Sequence, residues 1–201
     1  MSVQVRQRLD KLYSEYCNIY ENKEIVLGGG CITSPLVIIG EAPGKDEVKM
    51  GKPFVGAAGK NLNEFIDMLG ISRDSIYITN AIKYRLGKVN IKTNRTVNRP
   101  ATIKDIKDNQ YWLHKEISIL SPKIIVTLGN VPLRAITDDL SISIGNVHGI
   151  TNKCNIEGNT YELFPLYHPA SIIYNRSIKE VYNQDIMKLK EICGFDNTNV
   201  Y

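Results

Sequence analysis

Residues 35–44 read PLVIIGEAPG. Four consecutive apolar residues, three of them branched at Cβ, predict a strand covered on both faces rather than one that alternates between core and water. At Gly40 the chemistry changes abruptly. The stretch from 40 to 59, GEAPGKDEVKMGKPFVGAAG, is rich in glycine and carries a Lys-Asp-Glu cluster and a lone Phe54. Two further apolar runs, SIYITN (75–80) and KIIVTLG (123–129), have the same character as the first.

Helical patterns separate these runs. Val5, Leu9, Leu12, Tyr13 and Tyr16 mark a first helix over 2–20. Ala58, Leu62, Phe65, Ile66 and Leu69 mark a second, closed by Gly70, and Ile103, Ile106, Leu113, Ile117 and Leu120 mark a third. Residues 151–169 read as a hairpin turning at Glu157-Gly158, followed by a last helix over 178–193. Strands alternating with helices predict an α/β fold, a three-layer α/β/α sandwich around a mostly parallel sheet of about four strands, with residues 1–201 as a single domain.

The 201 residues, 43% hydrophobic and 23% charged, suffice for a core without disulfides. A formal charge of +4 leans towards an anionic partner without deciding it. No stretch approaches the roughly 18 apolar residues of a membrane span, and the start of the chain is polar, so a cytoplasmic protein is expected. Cys17, Cys31, Cys154 and Cys193 are scattered with no CxxC, which suggests reduced thiols and no zinc site.

In open α/β sheets ligands bind beyond the carboxyl ends of the strands. Those ends are GEAPG, Thr79-Asn80, Gly129-Asn130 and Tyr167-His168-Pro169. A phosphate cradle is excluded by spacing. The positions five residues before the four Gly-Lys pairs hold Ile39, Asp46, Phe54 and Ile82, never the Gly of a Walker motif, and GEAPG lacks the dinucleotide-binding spacing. Glycines at 40, 44, 56 and 59 let the backbone approach a flat ligand, and Phe54 offers a stacking face. Asn80 presents donors and an acceptor in one plane, matching the O4 and N3–H edge of uracil. Glu41, Asp46 and Glu47 can position water or stabilise a cationic sugar, and His168 can donate to a developing oxyanion. Singly, each has an ordinary structural role; their convergence carries the inference.

GEAPG, KPFVGAAGKNL, YITNAIKYR (77–85), the KIIVTLGN strand end and YHPAS (167–171) together resemble the uracil-DNA glycosylase superfamily, most closely its family 4, over residues 9–193. The resemblance implies that Glu41, Ala42, Pro43 and Glu47 form the uracil-binding and water-handling motif, that Phe54 stacks on an extruded uracil, that Asn80 reads its edge, and that His168 faces its O2. Catalytic roles then fall on Glu41, Glu47 and His168. Ala42 stands where the best-known family has an acidic residue. Catalysis therefore rests on water oriented by Glu41 or Glu47 or, with greater weight, on stabilising the uracil anion and the oxocarbenium sugar. DNA contacts are expected from Gly56, Lys60, Lys88, Arg95, Arg99, Ser171, Ile172, Ile173 and Arg176, with the two isoleucines as an apolar wedge.

The resemblance also implies an iron–sulfur cluster on four cysteines, and here the chain departs from it. The corresponding places hold Ser14, Cys17, Tyr84 and, for the fourth, Tyr111. One thiolate cannot hold a cubane, so no cluster and no other cofactor or metal is expected, with Tyr84 and Tyr111 filling the volume. The stretch 85–99, RLGKVNIKTNRTVNR, has five basic residues and no acidic one; it reads as a solvated connection or as a phosphate-contacting arm. The expected activity is monofunctional excision of uracil from DNA by a monomer that releases free uracil. The alternatives are a glycosylase for hypoxanthine, xanthine or mismatched thymine, and a catalytically weak damage-binding module.

Overall fold

The computed structural model describes residues 2–171 and 176–194. The elements are α1 (Ser2–Ile19), β1 (Gly29–Gly30), β2 (Leu36–Gly40), α2 (Lys45–Met50), α3 (Ala57–Leu69), β3 (Tyr77–Asn80), β4 (Gly87–Asn90) and β5 (Arg95–Asn98). They continue with α4 (Ile103–Leu120), β6 (Ile124–Leu128), α5 (Asn130–Thr137), α6 (Ile144–Val147), β7 (Asn152–Ile156), β8 (Asn159–Leu166) and α7 (Arg176–Cys193).

The sheet runs β1-β3-β2-β6-β8-β7. Its middle four strands are parallel, and β1 and β7 add antiparallel edges. The sheet thus has six strands among the described residues, not about four. The additions are the two-residue β1 and the first arm of the expected hairpin, whose turn places Glu157 and Gly158 at positive φ. Each buried strand feeds two cores because successive side chains point to opposite faces. Leu36 and Ile38 of β2 pack with Leu62, Phe65 and Ile66 of α3 and Ile186 and Leu189 of α7. Val37 and Ile39 pack with Leu9 and Tyr16 of α1, Leu113 and Ile117 of α4 and Leu133 of α5. The result is the expected α/β/α sandwich. No helix among the described residues is long and apolar enough to cross a membrane.

Two segments differ from the sequence reading. The stretch 85–99 contains a β-ribbon, β4 pairing with β5, and α2 lies inside the glycine-rich loop.

One charged pair lies inside the core. The Lys83 side chain is 1% exposed and that of Glu116 0%, with Nζ 2.7 Å from Oε2. Tyr77 and Thr79 of β3 donate to Glu116 at 3.2 Å each, and the Tyr13 hydroxyl also bonds to it. Burial raises the pKa of both tyrosines, which keeps them protonated as donors. Gly28 leaves the space that this network occupies: a Cβ there would lie 2.6 Å from Glu116 Oε1. The Lys83 ammonium also donates to the backbone carbonyl of Asn80 at 3.2 Å, so the network reaches the carboxyl end of β3.

Glu116→Ala leaves Lys83 buried without a counter-charge. The substitution is expected to cost about 3–5 kcal/mol in urea unfolding, and Glu116→Gln, which keeps an acceptor, less.

Candidate active site

The carboxyl ends of β2 and β3 lie side by side, with Gly40 paired in register to Asn80. A Cβ built on Gly40 would collide with the Phe54 ring and would lie 2.5 Å from Asn80 Oδ1. The absence of a side chain at 40 is what lets the aromatic ring and the amide edge meet. They form part of the wall of a cavity of about 390 Å³, which Ala42, Glu47, Gly56 and His168 also line.

Phe54 is held there against its own preference. It is buried with φ of 53°, a left-handed conformation that costs a non-glycine residue about 1–2 kcal/mol. Three features oppose that strain. Arg73 donates to the carbonyls of Pro53 (2.8 Å) and Phe54 (3.1 Å) and is itself oriented by Asn63 (2.8 Å). Gly59 of α3 lets the Phe54 carbonyl approach so closely that any Cβ would overlap it. Glu47 accepts from the amides of Gly44 (3.1 Å), Val55 (3.0 Å) and Gly56 (2.7 Å), joining the two ends of the loop.

That bonding distinguishes the three acidic residues. Both Glu47 oxygens accept backbone amides, so the residue expected from sequence to position water also braces the loop. Glu41 lines an adjoining recess with Ala42, Pro43 and His168. It accepts one amide, from Ala101 at 3.3 Å, and burial raises its pKa. Asp46 lines the main cavity and is exposed, and its side chain has no hydrogen-bond partner among the described residues.

His168 faces the cavity from the segment after β8, its ring centroid 6.3 Å from that of Phe54. Gly129, at φ of 89°, ends β6 and lets this segment close in: a Cβ there would lie 3.3 Å from that of His168. The amide of Ala170 donates to His168 Nδ1 at 3.1 Å, so the ring proton sits on Nε2. Burial lowers the His168 pKa, favouring this neutral form. Asn61 of α3 donates to the Pro169 carbonyl at 3.0 Å and ties the segment down.

The expected DNA-contacting residues are distributed unevenly. Gly56 caps α3 beside the cavity, with Lys60 exposed on the first turn of that helix and Ser171 exposed next to His168. Lys88 and Arg95 lie on the ribbon. Arg99 is not a free cation: Asp105 accepts from it at 2.7 and 2.9 Å, and the guanidinium holds that carboxyl well below its ordinary pKa. Ile172 and Ile173 lie outside the described residues, and Arg176 is described only as the start of α7. Arg73 and Lys83, which hold Phe54 and Asn80 in place, were missed. Their sequence signal was position alone, just before and just after the Asn80 strand.

The residues present do not fit an iron–sulfur cluster. Between α1, the segment after β3 and α4, Tyr16 donates to Asn109 (2.6 Å) and Asn109 donates to Tyr84 (3.3 Å). Tyr20 packs on both tyrosines, with centroids 4.5 and 5.1 Å away, and Trp112 meets Tyr16 edge-on. Tyr84 is buried in this junction. Contrary to expectation Tyr111 is not: it is 56% exposed, and Asn109 and Trp112 take the interior positions. Burial raises the pKa of the Cys17 thiol, and no group of three or more His, Cys, Asp or Glu among the described residues could hold a metal.

Fold and site together define a three-layer α/β/α protein with a cavity beyond the carboxyl ends of its parallel strands. The family model described as the uracil DNA glycosylase superfamily matches residues 27–188. A type-4 uracil-DNA glycosylase of Archaeoglobus fulgidus is 33% identical over 182 residues, covering 89% of this chain and 87% of its own. That of Saccharolobus solfataricus is 36% identical, with 87% and 79% covered, and that of Thermotoga maritima 33%, with 87% and 86% covered. The chain belongs to the uracil-DNA glycosylase superfamily.

An NMR titration of the His168 ring should give a pKa below the ordinary 6.5 and an Nε2–H tautomer in the neutral form. Because the folded-state pKa lies below the unfolded one, His168 contributes fully to stability above pH 6.5 and progressively less as pH falls towards the folded value.

Proposed function

We propose that this chain is a uracil-DNA glycosylase that accepts a uracil extruded from DNA, hydrolyses its N-glycosidic bond and leaves an abasic site. A base within the duplex must leave the stack before this bond can be reached. The observation that carries the reading is the meeting of Phe54, Asn80 and His168 around the space above Gly40. In the proposed complex the uracil ring stacks on Phe54, with Ala42 and Pro43 at its side. Asn80 Oδ1 accepts from N3–H, and Nδ2 donates to O4.

The bond between C1′ and N1 breaks with its electron pair passing to uracil. His168 Nε2–H faces O2, where the negative charge accumulates. Water then bonds to C1′ and gives up a proton, with Asp46, the unengaged carboxylate, or Glu41 as the acceptor. Glu47 serves by holding the loop. No lysine is assigned as a nucleophile on C1′, Lys45 at the cavity rim being exposed, and the proposed reaction therefore stops at the abasic site with free uracil released.

The aromatic and amide junction around Tyr16, Tyr84 and Asn109 is proposed to replace the iron–sulfur cluster. The protein is further proposed to act as a monomer of one domain, in the cytoplasm.

The test is cleavage of a labelled oligonucleotide containing one uracil, with alkali to reveal abasic sites. Wild type should yield alkali-dependent breaks only. Asn80→Ala and His168→Ala should each lower kcat by roughly 10²–10³, the effect of removing one positioned donor. Folded wild-type protein without excision would overturn the reading, and iron with acid-labile sulfide in pure protein would overturn the cofactor proposal.

A further inference from the structure

The β4–β5 ribbon stands apart from the main sheet and, among the described residues, is joined to no third strand and covered on neither face. Two strands alone are marginal in water, and this pair exposes aliphatic side chains. Ile91 at the tip is 96% exposed, Val89 60% and Val97 36%. The ribbon is ordered from its root. Arg85 donates to Asn98 Oδ1 (2.9 Å) and to the Thr96 carbonyl (3.2 Å), while Asn90 Oδ1 accepts the amide of Lys92 at 2.9 Å to shape the turn.

Four observations bear on what covers it. No acidic residue occurs from Arg85 to Lys104. Among the described residues, Lys88, Lys92 and Arg95 have no ion-pair partner, whereas Arg85 and Arg99 at the root do. In the register, Lys88 faces Val97 and Asn90 faces Arg95; since alternate residues share a face, Lys88 and Arg95 are on one side. Finally, Asn98 at the foot of the ribbon lines the cavity proposed to receive the base.

We propose that the ribbon is an arm that grips duplex DNA flanking the extruded nucleotide, with Lys88 and Arg95 on phosphates and Ile91 entering a groove. This rests on the glycosylase reading for where the DNA lies and deepens it by naming the duplex as the form bound. Four-residue strands extend about 13 Å, or about four base-pair steps of about 3.4 Å, and the major groove admits a two-stranded ribbon. A single strand is the weaker fit because single-strand sites hold bases on aromatic rings. Residues 85–99 contain no aromatic residue, only aliphatic ones suited to thymine methyls and base edges.

The test is fluorescence anisotropy with an undamaged duplex and one of its single strands across a salt series, with thermal unfolding as the check on folding. Using undamaged DNA separates failure of this proposal from failure of uracil excision. Lys88→Ala/Arg95→Ala should weaken duplex binding and lower its log–log salt slope by about two, one for each phosphate no longer neutralised, with a smaller change on the single strand. Ile91→Ser should weaken duplex binding roughly three- to tenfold, as expected when an aliphatic group no longer fills the groove, with the salt slope unchanged. Equal weakening on both DNA forms would overturn the duplex assignment. Unchanged binding by both variants would overturn the arm altogether and leave the ribbon to a protein partner.

Discussion

Nothing larger than hydrogen fits on the Cα of residue 40. β2 ends there, paired to the end of β3, and the space a side chain would take is shared by the Phe54 ring and Asn80 Oδ1. These groups come from separate segments, one from the loop after β2 and one from the neighbouring strand. The parallel register and the missing side chain bring both to the same point above Gly40. The proposed recognition of a planar base depends on this single vacancy at a strand end, where the open α/β architecture places its ligands.

Each partner in that meeting is held by groups outside the cavity. Phe54 occupies a strained conformation because Arg73 grips two carbonyls, Gly59 admits one of them against α3, and Glu47 closes the loop through three amides. Asn80 is secured through its carbonyl by Lys83, whose charge is balanced by Glu116 in the core. Buried ion pairs seldom add net stability compared with apolar residues of the same shape. This one is better understood through its geometry: it connects α4 to the β3 strand end. A site built in this way is organised before any ligand arrives, which reduces the ordering cost of binding.

The sandwich was legible because short β-branched apolar runs such as Val37–Ile38–Ile39 alternate along the chain with helical spacings such as Leu62–Phe65–Ile66. Phe54, Asn80 and His168 were legible as chemical oddities at strand ends. What was not legible depended on partners distant in sequence. Arg73 and Lys83 look like ordinary surface cations until the fold puts carbonyls beside them. Glu47 looks like a free carboxylate until α2 forms and turns it onto three amides. The ribbon lacks a simple two-residue hairpin signal, because its turn is made by Asn90 and by Asn94 at φ of 51°. The resemblance points to Tyr111 as the place of the fourth cysteine and so to the interior, but it lies about 200° around α4 from Asn109, and the helix turns Asn109 inward instead.

The most direct test of the central claim is a crystal structure of the protein soaked with free uracil. The account predicts the ring stacked on Phe54 above Gly40, with N3–H and O4 on the Asn80 amide and O2 towards His168 Nε2. Uracil bound elsewhere, or bound in the cavity with that edge turned away from Asn80, would contradict it.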